Sequence, residues 1–381
     1  GTTMLARILA SHDEIALASD PFASLFKSIR NTVAVDAHVN LNPDSPLSDY
    51  YYSSDGIQLL NSIRNCDLSM LEPKIDVSDL ASTMAKTSLP YSSDLSPHLS
   101  DLRGNSYSDL LLGGMDLIKQ VYGSESTRVV GFKDVWATEF APAFLDAFPD
   151  GRVVCLIRDP RAVFLSKWKQ QKRYPLLFMA RQWRKLSALS WLVSQDPQFA
   201  ERVMVIRYED LVINPGESLQ RLASFIGIDD SSSMLDPDRW TDGGGGAWRQ
   251  NTSFGSGSRG FDSSAVDRWR ESLPDAEARL IESICSPEMS LFGYEPVVAP
   301  WSACHEELQD PSQVDPERLA GWITPYVDET RSGLINAYFI EWMRWQVLNS
   351  SESCDIHLQS LLCLNPNMFS ACRRSHDGNS N

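Results

Sequence analysis

Residues 152–166 read RVVCLIRDPRAVFLS, and this stretch decides the fold class. Val153, Val154, Cys155, Leu156 and Ile157 form an apolar run of strand length. Arg158, Asp159 and Pro160 end it, and a helical pattern follows. A strand with no polar face belongs in a parallel sheet that helices cover on both sides. The same unit recurs to either side in RVVGF (128–132) and RVMVIRY (202–208), with helical patterns between at 137–148 and 176–193. In the second of these helices Leu176, Met179, Trp183, Leu186 and Val193 trace one apolar face, interrupted by Ser190. EIALA (14–18) supplies a further short strand. Strands alternating with helices in this way predict an α/β, three-layer fold with a central parallel β-sheet flanked by helices.

Outward from this centre, GTTMLARILASH (1–12) has helical spacing in Met4, Leu5, Ile8 and Leu9, with Thr2 or Thr3 suited to cap it. Residues 36–125 are rich in Ser, Asp and Pro, with short helical patterns at 56–66 and 107–122, and read as a helical insertion or lid. After 208 come a helix at 216–226, a Gly- and Ser-rich stretch at 241–260, and helices at 263–270 and 274–285. Residues 296–381 differ in composition. Their one strong element is a helix over 332–348 whose apolar residues are Leu334, Ile335, Tyr338, Phe339, Trp342 and Trp345, and the end, SHDGNSN, is expected to be disordered. The expected division is therefore 1–295 as one domain, with 36–125 inserted on the acceptor side, and 296–381 as an extension.

The net charge of −16 over 381 residues argues against nucleic acid or an anionic membrane as the main partner. The charge is uneven: residues 151–187 hold ten Lys and Arg against the single acid Asp159, whereas 36–125 hold five basic and thirteen acidic side chains. A basic band in an acidic chain suggests a local anion site. No run approaches the roughly 18 apolar residues of a membrane span. The chain starts at Gly1 and is expected to lack its true N-terminus, which leaves cytoplasm and Golgi lumen both open as locations. The seven cysteines show no metal-ligand spacing such as C-x-x-C, and no metal is expected. Cys155 reads as a buried small hydrophobe, while Cys304, Cys354, Cys363 and Cys372 crowd the tail and are able to pair in an oxidising compartment, though nothing in the spacing demands it.

Two motifs carry candidate chemistry. A glycine followed by Thr2 and Thr3 at a helix start can cradle a phosphate on backbone N–H groups, and no Lys precedes the hydroxyls as it would in a nucleoside-triphosphate loop. By itself it reads more readily as a capped amphipathic helix. Arg158 stands at the carboxyl end of a predicted strand, where ligands bind in open α/β sheets, and Ser166 lies two helical turns further on. The pair can grip one phosphate from two sides. The alternative makes Arg158 and Asp159 a surface ion pair.

Taken in order, these segments resemble the PAPS-dependent sulfotransferase family, whose donor is 3′-phosphoadenosine 5′-phosphosulfate (PAPS). GTTMLARILASH is similar to the second half of its phosphosulfate loop and LIRDPRAVFLS to its 3′-phosphate motif. VIRYEDLVINPGESLQRLASFIGI (205–228) is similar to its Tyr-Glu-Asp segment, and WRQNTSFGSGSRGFDSSAVDRWRESL (248–273) to its late nucleotide-closing loop. The resemblance covers about half the chain and implies a sheet related to the nucleotide kinases. It implies that Gly1, Thr2 and Thr3 hold the 5′-phosphosulfate, that Arg158 and Ser166 hold the 3′-phosphate, and that Tyr208 lies near adenine. Ser258, Arg259, Gly260 and Arg268 would complete the cradle.

Two departures stand out. The strand and the basic loop residue that precede Gly1 in the family are not in this sequence. In GFKDVW (131–136) Lys133 is kept, but Val135 stands where many members have a catalytic His. Other branches use an acid soon after the second strand, which here makes Asp20 of LASDPF (17–22) the expected base and Lys133 an electrostatic stabiliser. On residues alone, Asp20 reads nearly as well as a turn residue before Pro21, and Lys133 as a solvated strand end. Two rival functions are a non-catalytic relative that only binds, and a nucleotide kinase-type phosphoryl transferase. The acceptor class is left open among small molecules, carbohydrates and peptides.

Overall fold

A computed structural model of the chain describes residues 1–166, 175–241, 248, 260–297, 331–350 and 352–377. It begins with α1 (Thr2–Ala10), β1 (Ile15–Ser19) and α2 (Ala23–Asp36). The inserted segment then contributes α3 (Ser54–Arg64), α4 (Val77–Ser88), α5 (Ser96–Leu99) and α6 (Tyr107–Tyr122) before β2 (Val129–Lys133). The centre follows as α7 (Ala141–Ala147), β3 (Val153–Ile157), α8 (Pro160–Phe164), α9 (Leu176–Gln195) and β4 (Val203–Arg207). Next come α10 (Tyr208–Ile213), α11 (Pro215–Ile226), α12 (Arg268–Ser272) and α13 (Asp275–Ser290). The tail holds α14 (Arg331–Asn349), α15 (Ile356–Cys363) and α16 (Pro366–Asp377). The chain is thus α/β. No helix among the described residues is long and apolar enough to cross a membrane.

The four strands fall within one residue of the predicted runs, and each pairing is parallel. β1 lies on β2 with Ser19 level with Lys133, and β3 lies on β4 with Ile157 level with Arg207. One continuous sheet was expected. Hydrogen bonding among the described residues instead gives two separate two-stranded pairs. Among the described residues β2 and β3 each bond along one edge only, and Val129, Val130, Gly131 and Phe132 are half-buried. What joins the halves is side-chain packing. Met4, Leu5, Ile8 and Leu9 of α1 share one core with Leu17 and Val129 of the first pair and with Val154, Leu156, Met204 and Ile206 of the second.

The Ser- and Asp-rich composition of the insertion turns out to be capping chemistry. Ser53 accepts from the Gly56 amide at the start of α3, and Asp76 accepts from Ser78 at α4. Ser106 and Asp109 form a reciprocal capping box at α6. Asp159 does the same work for α8 by accepting from the Arg161 amide. α11 stops at Gly227, whose φ of 82° is the left-handed conformation that glycine adopts without strain.

A second core joins the insertion to β1 and to the tail. Ala16, Phe22, Leu59, Leu111 and Ile118 belong to the same buried cluster as Leu348, Leu362 and Met368. The Tyr52 amide donates to the Leu361 carbonyl at 3.0 Å, a backbone link between insertion and tail. In α14 the apolar residues do not share one buried side: Tyr338, Glu341, Arg344 and Leu348 are inside, whereas Phe339 is 45% exposed. α16 runs to Asp377, so three residues of the terminal SHDGNSN are helical.

Candidate functional site

The carboxyl ends of the strands and the amino end of α1 hold most of the predicted residues. Gly1 caps α1, and its carbonyl accepts from the Leu5 amide at 2.9 Å. The first N–H groups of a helix have no partners within it, so this end favours an anion. A Cβ at Gly1 would stand 2.6 Å from Cδ2 of Tyr208 and 3.0 Å from Cδ2 of Leu156, so the backbone approaches the ends of β3 and β4 more closely than a side chain permits. Thr2 and Thr3 follow, each partly buried.

Arg158 leaves the end of β3 with its guanidinium 4.2 Å from the centre of the Tyr208 ring. Its Nη2 donates to the Ala265 carbonyl at 3.0 Å, while its Nε is buried with no hydrogen-bond partner. The Trp183 indole holds the Arg158 carbonyl at 2.8 Å. The alternative of an Arg158–Asp159 ion pair does not occur, because Asp159 grips Arg161 through both oxygens, at 2.9 and 2.7 Å. Burial pushes the Tyr208 phenol up, and the charges of Arg158 and Arg268 partly oppose this. Arg268 itself pairs with Asp262 at 3.1 Å. Ser166 is partly buried just beyond α8. Gly260 takes a φ of 98°, and a Cβ there would meet the Pro237 ring at 2.9 Å. Ser258 and Arg259 lie outside the described residues.

At the ends of β1 and β2, Asp20 and Lys133 meet. The two side chains form an ion pair, and the Asp20 amide donates to the Lys133 carbonyl at 2.6 Å. Asp20 adopts a φ of 49°, unusual for a residue with a side chain. Asp134, the next residue, was not singled out from sequence. Its Oδ2 is enclosed without a hydrogen-bond partner. Burial first and the Asp20 charge second push its carboxyl up to about 8, against the opposing Lys133 charge and the Phe22 amide. The signal in the sequence was its place beside Lys133 at a strand end.

The basic band at 151–187 is partly committed to ion pairs within the protein. Among its described members, Arg161 also binds Glu282, Arg181 and Arg184 bind Glu341, and Lys185 binds Glu139. Four of the ten cations thus neutralise buried carboxylates. Glu209 was missed as well. It accepts from the Asp159 amide at 3.1 Å and from the Tyr294 hydroxyl at 2.6 Å, which ties the end of β3 to the residue pair Glu209 and Tyr294 beyond the strands.

The sequence model described as "Sulfotransferase family" matches residues 1–232. Carbohydrate sulfotransferase 3 of Tetronarce californica is 28% identical over an alignment of 168 positions that covers 38% of this chain and 36% of that protein. Carbohydrate sulfotransferase 7 of Mus musculus is 30% identical over 150 residues, 39% of this chain and 29% of that protein. The matches to these curated relatives therefore span about a third of their length or less. Among solved structures, a sulfotransferase domain from the curacin biosynthetic pathway is 20% identical, with a TM-score of 0.44 over 77% of this chain and 94% of that one.

Proposed function

This chain belongs to the sulfotransferase family, and from that premise we propose that it moves a sulfuryl group from PAPS to a hydroxyl or amine of an acceptor. The acceptor oxygen or nitrogen attacks sulfur as the bond to the phosphate oxygen breaks, and 3′-phosphoadenosine 5′-phosphate (PAP) leaves. The amide end of α1 at Gly1, Thr2 and Thr3 receives the 5′-phosphosulfate. Arg158 and Ser166 receive the 3′-phosphate, with Tyr208 beside the adenine and Ser258, Arg259, Gly260 and Arg268 completing the cradle. Asp20 takes the acceptor proton, and Lys133 neutralises charge that develops on the transferred group. A three-layer arrangement of the nucleotide-kinase kind belongs to this reading.

One observation carries it. Residues 1, 158 and 208, drawn from three separate motifs, converge on the Tyr208 ring at the ends of β3 and β4. The fit to a phosphorylated nucleotide is supported by the buried Arg158 Nε without a partner and by a cradle at Gly1 that a side chain would fill. The curated relatives are named as carbohydrate sulfotransferases, which makes a carbohydrate hydroxyl the first acceptor class to test. The insertion over 36–125 is the proposed acceptor side.

The test is calorimetric titration of PAP into the chain and into Arg158→Ala. A charged hydrogen bond contributes about 1.5–3 kcal/mol, so the variant should bind PAP about ten- to a hundredfold more weakly. Equal affinity would remove Arg158 from the site. Turnover of labelled PAPS with a carbohydrate acceptor separates an enzyme from a relative that only binds.

A further inference from the structure

Cys363 ends α15 and Cys372 lies in α16, across a turn in which Leu364 takes a φ of 62°. Both side chains are fully buried, and their sulfur atoms lie within 4.8 Å of each other and of a Glu288 carboxylate oxygen. Three such groups suggest a metal site, and the Glu288 Oε2 is enclosed without a hydrogen-bond partner, but the Oε1 side is held by a cation. The Arg344 guanidinium donates to Glu288 at 2.5 Å and to the Cys363 sulfur at 3.5 Å, and Tyr51 donates to the same Glu288 oxygen at 3.1 Å. A divalent cation would have to sit against that fixed positive charge. What remains is a dithiol whose sulfurs already face each other.

We propose that Cys363 and Cys372 are an oxidation site, which a small-molecule disulfide such as glutathione disulfide converts into an intramolecular disulfide that staples α15 to α16. The Cys363 thiolate attacks one sulfur of glutathione disulfide, the S–S bond breaks, and one glutathione thiolate leaves. Cys372 then gives up its proton and attacks the Cys363 sulfur, expelling the second glutathione. Two protein thiols are oxidised, one external disulfide is reduced, and the two protons end on the two glutathiones. The two thiols are not equivalent. Burial pushes Cys363 up, yet the hydrogen bond with Cys372 and the Arg344 charge more than offset it, so Cys363 titrates below an ordinary thiol. Burial and the neighbouring Cys363 push Cys372 well up. In a local opening that keeps Arg344 beside Cys363, that asymmetry favours Cys363 as the attacking sulfur.

The staple would act on a junction already tied together by Arg344, which also donates to the Leu362 carbonyl at 2.6 Å. Because both sulfurs are sealed from solvent, the exchange is expected as the chain folds or opens locally. The test refolds the full chain in a glutathione redox buffer, labels thiols under denaturing conditions, reduces, and applies a second label. Peptide mass spectrometry then locates each label. Cys363 and Cys372 should carry the second label together, while Cys66, Cys155, Cys285 and Cys354 carry the first. Cys372→Ser should stop at a mixed disulfide on Cys363, gaining the mass of one glutathione. The oxidised chain should also melt several degrees above its reduced form. First labels on both cysteines, pairing of either with another cysteine, or stoichiometric zinc held by reduced thiols would each overturn the assignment.

Discussion

Two carboxyl groups stand beside one lysine where β1 and β2 end, and their surroundings differ. Asp20 is engaged with Lys133, whereas Asp134 has an enclosed oxygen and a carboxyl raised to about 8. Asp20→Asn should abolish sulfuryl transfer while PAP binding is kept; a variant that still turns over eliminates Asp20 as the base. For Asp134 the expected effect is on stability. Its folded value lies above that of the unfolded chain, so the native state holds a proton that the unfolded state releases. Stability from this group is present below about pH 4 and is lost as pH rises through about 8. Asp134→Asn should therefore raise the unfolding free energy at pH 9 by on the order of 2 kcal/mol, after a discount for the residue's partial exposure, and leave it nearly unchanged at pH 4. Denaturant titrations at the two pH values check this, and an equal effect at both would dismiss the shifted carboxyl. The candidate positions around Tyr208 were legible because each lay in its own local motif. Asp134 was not, since its state depends on Phe22 and Asp20, more than a hundred residues away along the chain.

Helix positions were legible wherever one face alternated cleanly, as in α6 and α9, but which face lies inside was not always. In α14 the sequence marked the helix by its apolar residues, and the structure buries Glu341 and Arg344 together with Tyr338. Such a face is invisible to a hydrophobic pattern because its partners, Arg184 and Glu288, stand on α9 and α13. Burial pushes the Glu341 carboxyl up, but Arg184 and Arg181 more than offset it and hold it down at about 2. Its stabilising contribution is thus present above the ordinary carboxylate range and is lost as pH falls through about 2. Glu341→Gln strands Arg184, a loss on the order of 3–5 kcal/mol for a buried pair broken from one side. Chemical denaturation at pH 7 should show that loss, and the gap to the parent should narrow as pH approaches 2. A variant as stable as the parent at pH 7 would mean the ion pair is not formed in solution.

On the scale of the whole molecule, the four strands and their parallel sense were legible, because apolar strands separated by helices admit few other arrangements. Their division into two pairs was not, since a hydrophobic run does not say which edge it bonds. The tail was the least legible part: α14 buries charges whose partners stand on other elements, beside the apolar residues Leu348, Leu362 and Met368 that the tail adds to the core. That gives a direct test of how far the tail belongs to the structure. A chain ending at residue 297 keeps Arg184 and Glu288 but loses Glu341 and Arg344, so two buried charges of opposite sign are left without their partners. Removing one side of a buried ion pair is far more damaging than removing both. The shortened chain should therefore unfold at a markedly lower denaturant concentration, followed by tryptophan fluorescence. Adding Arg184→Met and Glu288→Leu to the same shortened chain should recover part of the loss, because no charge is then stranded. If the shortened chain is as stable as the full one, the tail only rests on the surface. If it is destabilised but the two added substitutions recover nothing, the tail contributes through the apolar contacts of Leu348, Leu362 and Met368 and not through its charges.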